Sequence, residues 1–114
     1  MGGNISINAT NNLSILGSLT VSGGTGMGGI INISANITSI GNLTANGGAS
    51  SNGGAGGIIV LTLSTNLSVL DHITANGGAG SAGTGGTGGT ITITTLDTNI
   101  PTGKNINASG GSGT

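Results

Sequence analysis

LGSLTVSGG (16–24), IGNLTANGG (40–48) and LDHITANGG (70–78) are three versions of one nine-residue string, and a decayed fourth, GKNINASGG, occupies 103–111. Taking Leu19, Leu43, Ile73 and Ile106 as anchors, the copies lie 24, 30 and 33 residues apart. Seven residues before the anchors stand Asn12, Asn36, Asn66 and Asn99, each followed by an aliphatic residue: Leu13, Ile37, Leu67 and Ile100. Three residues before the anchor the first three units place Leu16, Ile40 and Leu70, whereas the fourth has Gly103. Further upstream the pairs Ile5/Ile7, Ile31/Ile33, Leu61/Leu63 and Ile91/Ile93 alternate with the period of two that gives a strand one buried face.

Self-similarity at a spacing of 20–50 residues is the mark of a stacked-repeat fold, in which loops take up variation in length. The chain therefore reads as one all-β domain over 1–114, a parallel β-solenoid (β-helix) of about four coils, with approximate units 1–29, 30–57, 58–89 and 90–114. Interior positions would meet their equivalents in the coils above and below, about 4.8 Å away, so aliphatic columns can fill the core without rings. The composition agrees: 114 residues contain 27 Gly, one Pro, no Cys and no aromatic residue. Asn12, Asn36, Asn66 and Asn99 make a candidate structural Asn ladder, because Asn at a corner can bond neighbouring backbone through its side chain. Ser22, Asn46, Asn76 and Ser109, each just before Gly-Gly, make a second. The rival fold is an antiparallel meander, for which Asn46-Gly47, Asn52-Gly53 and Asn76-Gly77 would supply type I′ hairpin turns. It accounts for the turns but not for the position-by-position repeat.

The glycine runs have a period of their own. In GGAGSAGTGGTGG (77–89) a Gly stands at 77, 80, 83, 86 and 89, and Gly23, Gly26 and Gly29 keep the same phase in the first run. Three residues per turn is the polyproline-II period, and Gly along one edge lets backbones approach closely. One reading is polyglycine-II-like excursions packed side by side; the other is flexible Gly/Ser loops, since ordering glycine is entropically costly.

Alternating-aliphatic strands followed by LTANGG and a run such as GGAGG before TITIT resemble the glycine-rich β-solenoid repeats of large secreted bacterial adhesins, similar to filamentous-haemagglutinin and autotransporter-passenger regions. The resemblance covers nearly the whole chain and implies an extracellular or cell-surface stalk. The fourth unit departs from it with Asp97, Pro101 and Lys104, so Thr95 to Asn105 reads as an irregular corner or the beginning of a cap.

Charge is almost absent: Asp71, His72, Asp97 and Lys104 are the ionisable side chains, and the formal net charge is −1. No nucleic-acid partner is expected, because phosphate neutralisation needs clustered Lys or Arg. No membrane span is expected either, since the longest run of large aliphatics is Ile58-Ile59-Val60-Leu61, and Met1-Gly2-Gly3-Asn4 does not read as a signal peptide. Asp71-His72 is an adjacent ionisable pair, but acid–base catalysis needs a nucleophile or second carboxylate beside it. One His and two separated Asp do not make a zinc site, and no Asp lies in a Gly run to build a calcium-binding nonapeptide. GxGxxG-like strings such as Gly78 to Gly83 lack the helix and acidic residue of a dinucleotide site. The expectation is no enzyme, no cofactor and no metal.

Eight sequons begin at Asn4, Asn8, Asn12, Asn32, Asn36, Asn42, Asn66 and Asn107, and are N-glycosylation acceptors in type. An Asn corner entering a strand gives the same pattern. The row Thr90, Thr92, Thr94 raises ice binding as an alternative, set against irregular partners Asn4/Ser6, Asn32/Ser34 and Val60/Thr62. The leading expectation is a structural module of an extracellular fibre, adhesin stalk or self-assembling filament, its partner being itself or neighbouring repeats. The alternative is a ligand-binding module for ice, or for a surface glycan or receptor. The sequence shows no cap at either end, and an exposed strand edge is a template for further pairing.

Overall fold

The computed structural model describes residues 1–69, 71–99 and 103–114, leaving aside the side chains of Ile37, Thr38, Val69 and Asn99. Eight strands and no helix occur among them: β1 (Asn4–Asn8), β2 (Leu13–Thr20), β3 (Ile30–Thr44), β4 (Ile58–Val69), β5 (Ile73–Thr74), β6 (Thr90–Thr94), β7 (Asp97–Asn99) and β8 (Ile106–Asn107). Every strand pairing is parallel, which makes the protein a β-solenoid. Its four layers are β1–β2, β3, β4–β5 and β6–β7–β8, joined by three interfaces, so the winding amounts to about 3 turns instead of the four coils expected. The shortest extent of the molecule, 21 Å against 46 and 28 Å, is of the height four such layers give.

Parallel pairing excludes the meander. So does the backbone: among the described residues Gly103 alone has a positive φ, so the Asn-Gly dipeptides form no type I′ turns.

The anchors stack as the repeat predicts, Leu19 on Leu43, Leu43 on Ile73 and Ile73 on Ile106. Two further columns run through all four layers, Ile5–Ile31–Ile59–Ile91 and Ile7–Ile33–Leu61–Ile93. In the third layer the inward pair is thus Ile59/Leu61, one alternation earlier than Leu61/Leu63; Leu63 faces Ala35 instead. Ile31, Ile33, Ile40, Leu43, Ile59, Leu61, Leu67 and Ile73 are fully buried. Burial of each contributes roughly 1.5–3 kcal/mol, which is how a core without rings is sustained.

At the first corner the constant offset fails. Leu13 lies opposite Thr38, Thr38 opposite Leu67, and Leu67 opposite Thr98. The expected column Leu13–Ile37–Leu67–Ile100 is therefore not in register, with Ile37 opposite Asn66 and Ile100 outside the described residues. The first Asn ladder fails with it: Asn66 faces Ile37 on one side and Asp97 on the other, and Asn99 faces Ser68. The cause is one extra residue between corner and anchor: in the third layer three residues separate Val69 from Ile73, where two separate their partners Ile40 and Leu43. Of the two bulges, Ser64 and Thr65 of β4 against Asn36 lie upstream of the corner, and Leu16 and Gly17 of β2 against Gly41 supply the extra residue of the first layer. The second bulge ejects Leu16, which is 83% exposed while Ile15 takes the place opposite buried Ile40. Leu70, its expected third-layer partner, lies outside the described residues.

The glycine excursions are ordered. Each closes on its own layer by a bond from the last glycine back to the start of the run, Gly29 N to Val21 O, Gly57 N to Ala45 O and Gly89 N to Ala75 O, all 2.6 Å. A relay of backbone bonds then crosses the whole stack: Gly111 N to Gly86 O, Gly86 N to Gly78 O, Gly78 N to Gly54 O, Gly54 N to Gly48 O and Gly48 N to Gly26 O, between 2.7 and 2.9 Å. Outgoing and returning legs alternate along it, bonded within and between layers, as polyglycine-II-like segments require. A Cβ on any of Gly48, Gly54, Gly78, Gly86 or Gly111 would lie within 3.0 Å of a backbone carbonyl. With φ not positive at any of them, close approach and not turn geometry explains the glycine.

Candidate functional site: two open ends and a charged corner

The end layers differ from the middle ones. β1 and β2 pair with β3 alone, and among the described residues β6 and β7 pair with β4 alone and β8 with β5 alone. Ile5, Ile7, Leu13, Ile15 and Leu19 at the lower end, and Ile91, Ile93 and Ile106 at the upper, pack against the core on one side and are half-buried. Their equivalents in the middle layers, such as Ile31, Ile33, Ile59 and Leu61, have lost all exposure. Each end thus shows a row of apolar residues in core register and a strand edge with open backbone groups.

Three of the four ionisable side chains meet at one corner. By count from the anchors Asp71 is the equivalent of Gly17, Gly41 and Lys104, and its Oδ1 lies 3.4 Å from Lys104 Nζ and 3.5 Å from His72 Nε2. His72 Nδ1 lies 3.2 Å from Asn105 N and 3.1 Å from Asn105 Oδ1. Nδ1 ties the third layer to the fourth, while Nε2 faces Asp71 within the third. The side chains are about 40% exposed, so the ion pairs contribute at most about 1 kcal/mol. Asp97, the other carboxylate, lies in β7 opposite Asn66. Among the described residues there is no cavity, and no group of three or more His, Cys, Asp or Glu close enough to hold a metal.

Of the second expected ladder Asn46 and Asn76 act through their side chains and Ser109 through its backbone N–H, while the Ser22 hydroxyl makes no such bond among the described residues. Asn46 Oδ1 accepts the Asn76 N–H and Asn76 Oδ1 accepts the Ser109 N–H, both at 2.8 Å. Each amide oxygen thereby satisfies a backbone donor of the layer above, at the point where the chain leaves the strand for the glycine run. A threonine ladder that the repeat alignment misses replaces the expected one at the first corner. Thr65 Oγ1 donates to Asn36 O at 3.0 Å, and Thr95 Oγ1 donates to Thr65 O at 2.8 Å. Its signal was the 30-residue separation of Thr65 and Thr95, concealed because the offset pointed to the adjacent Asn66.

Of the sequon asparagines, Asn4, Asn8, Asn12, Asn32 and Asn66 are exposed, while Asn36, Asn42 and Asn107 are half-buried. On the outer face of the first sheet the rows are Asn4–Ile30–Ile58–Thr90, Ser6–Asn32–Val60–Thr92 and Asn8–Ser34–Thr62–Thr94. Ile30, Ile58 and Val60 interrupt the hydroxyl grid. No protein-family model, curated protein or solved structure matches the chain.

Proposed function

We propose that the chain is a structural repeat module, without catalytic activity, of an extracellular or surface fibre, adhesin stalk or filament. The observation that carries this reading is the pair of open ends. Each displays half-buried aliphatics in the columns of the core, and what covers such a layer best is another layer of the same kind. The likeness of the LTANGG and GGAGG strings to adhesin repeats adds the extracellular setting. The interrupted outer grid weighs against ice binding, which needs a flat, repeated hydroxyl array.

Electron microscopy and fibre diffraction of the purified protein, alone and within whatever longer chain carries it, test the reading. Thin unbranched fibres with a repeat near 4.8 Å along the axis support it. A discrete monomer that binds one defined glycan or receptor, or turnover in a hydrolase panel that His72→Ala abolishes, overturns it.

A further inference from the structure

We infer that the upper end of one copy is built to receive the lower end of a second copy, head to tail, with Asn4 of the arriving chain above Thr90. The inference rests on the structural reading above and specifies its partner. The first ground is the phase of the hydrogen-bond ladder. Ile30 N donates to Gly3 O, Ile58 N to Gly29 O and Thr90 N to Gly57 O, each at 3.0 Å. In a parallel ladder a residue that bonds one neighbour directs both its N–H and its C=O that way, and the next residue directs both the other way. Thr90, Thr92 and Thr94 therefore face the third layer, while Ile91 and Ile93 direct their backbone groups outward from the upper edge. At the lower edge the outward groups are those of Asn4, Ser6 and Asn8.

These two sets fit one another in a single register. With Asn4 above Thr90, Asn4 N–H meets Gly89 C=O, Ile91 N–H meets Asn4 C=O, Ser6 N–H meets Ile91 C=O and Ile93 N–H meets Ser6 C=O. That is the pattern of the three interfaces already inside the molecule. The side chains agree independently of the backbone. The same placement sets Ile5 above Ile91, Ile7 above Ile93 and Leu19 above Ile106, extending the three aliphatic columns that run through the four layers. Asp71 and Lys104 neutralise one another at a corner, so no like charges oppose the contact.

A head-to-head contact has no such fit. It would reverse the strand direction and the sense in which the coil is traced, so columns away from the two-fold axis would miss their counterparts. The predicted contact is heterologous and open-ended, the kind that makes filaments.

Complementation of two half-blocked chains tests it. Ser6→Pro removes an outward N–H at the lower edge, and Ile93→Pro one at the upper edge, neither of which has a partner within the molecule. Sedimentation of each variant, and of their equimolar mixture, reads the mass. The expected result is assembly of the wild type, a monomer for each variant alone, and a twofold mass in the mixture, from the free upper edge of the Ser6→Pro chain and the free lower edge of the Ile93→Pro chain. Dimers of either variant alone would overturn the polarity. A wild type that stays monomeric up to millimolar concentration would overturn stacking between copies, while leaving the module as a repeat within a longer chain.

Should either proline variant lose its β-type circular dichroism, exposed charges at the junction give a second test. Asn4→Lys combined with Thr90→Glu should strengthen assembly at least tenfold over Asn4→Lys combined with Thr90→Lys, and added salt should narrow the difference. Assembly equally strong in the two double variants would refute the register.

Discussion

A glycine in this fold is recognised by what its missing Cβ would strike. Gly54 and Gly86 sit in the relay that crosses the stack, where a Cβ would lie within 3.0 Å of a carbonyl, whereas Gly24, in the first excursion, has nothing within 4 Å and no positive φ. Gly86→Ala should therefore separate two legs that must touch and cost about 1–3 kcal/mol, while Gly24→Ala should be neutral or stabilise by about 0.4–1 kcal/mol through the unfolded state. Urea denaturation of both variants checks the sign as well as the size, and equal destabilisation would count against ordered excursions. The asparagines divide in the same way. Asn76→Ala removes the acceptor of the Ser109 N–H and should cost about 1 kcal/mol or slightly more, whereas Asn66→Ala, at an exposed position out of ladder register, should stay within about 0.5 kcal/mol. Thermal melts in which Asn66→Ala is the more damaging change would reinstate the ladder that the constant offset predicted.

At the level of elements, the contrast between strand interior and excursion rim decides what the chain tolerates. Leu67 in β4 is 1% exposed, so Leu67→Asp would bury a charge with no partner and should cost several kcal/mol, enough to unfold a domain of ordinary stability. Thr84→Asp, on an exposed excursion residue, should leave the melting temperature almost unchanged; similar losses at both sites would invert the assignment of inside and outside. The strands and their parallel order were legible in the sequence because stacked layers must place like on like, and the anchor string did so over all four copies. The first corner was not legible from a fixed offset, since the extra residue of Leu16-Gly17 in the first layer and one between Val69 and Ile73 in the third lie between corner and anchor, where counting cannot see them. The phase of the third layer was ambiguous for a different reason. Ile59, Leu61 and Leu63 are three aliphatics of one parity, so Leu61/Leu63 satisfied the alternation as well as Ile59/Leu61 did. The deciding signal lay just upstream, in the Gly-Gly pairs 2–3, 28–29, 56–57 and 88–89 that precede β1, β3, β4 and β6. As for the open ends, their aliphatic rows could be read from the repeat, but the direction of each edge's free N–H groups required the hydrogen-bond phase.

Over the whole molecule, stability is a sum of layers and of the interfaces between them, so it should fall from the middle of the stack toward both ends. The interface between β3 and β4 joins two layers whose inward aliphatics are fully buried, while β1 and β6 each have a neighbour on one side and half-buried aliphatics. Amide hydrogen exchange on the monomer should follow this gradient. The N–H groups of Ile31, Ile33 and Val60, held between those central layers, should open only with global unfolding, whereas Ser6, Ile91 and Ile93, whose N–H groups point off the edges, should exchange at rates near those of an unstructured chain. The two classes then respond differently to concentration. If copies stack, protection at Ser6, Ile91 and Ile93 should rise together by orders of magnitude as assembly proceeds, since a single junction occupies all three donors or acceptors at once, while Ile31 and Ile33 change little. Flat protection from β1 to β6 in the dilute monomer would contradict the layered energetics. A rise at Ile91 and Ile93 without one at Ser6 would mean that upper edges meet each other, and would refute a head-to-tail junction.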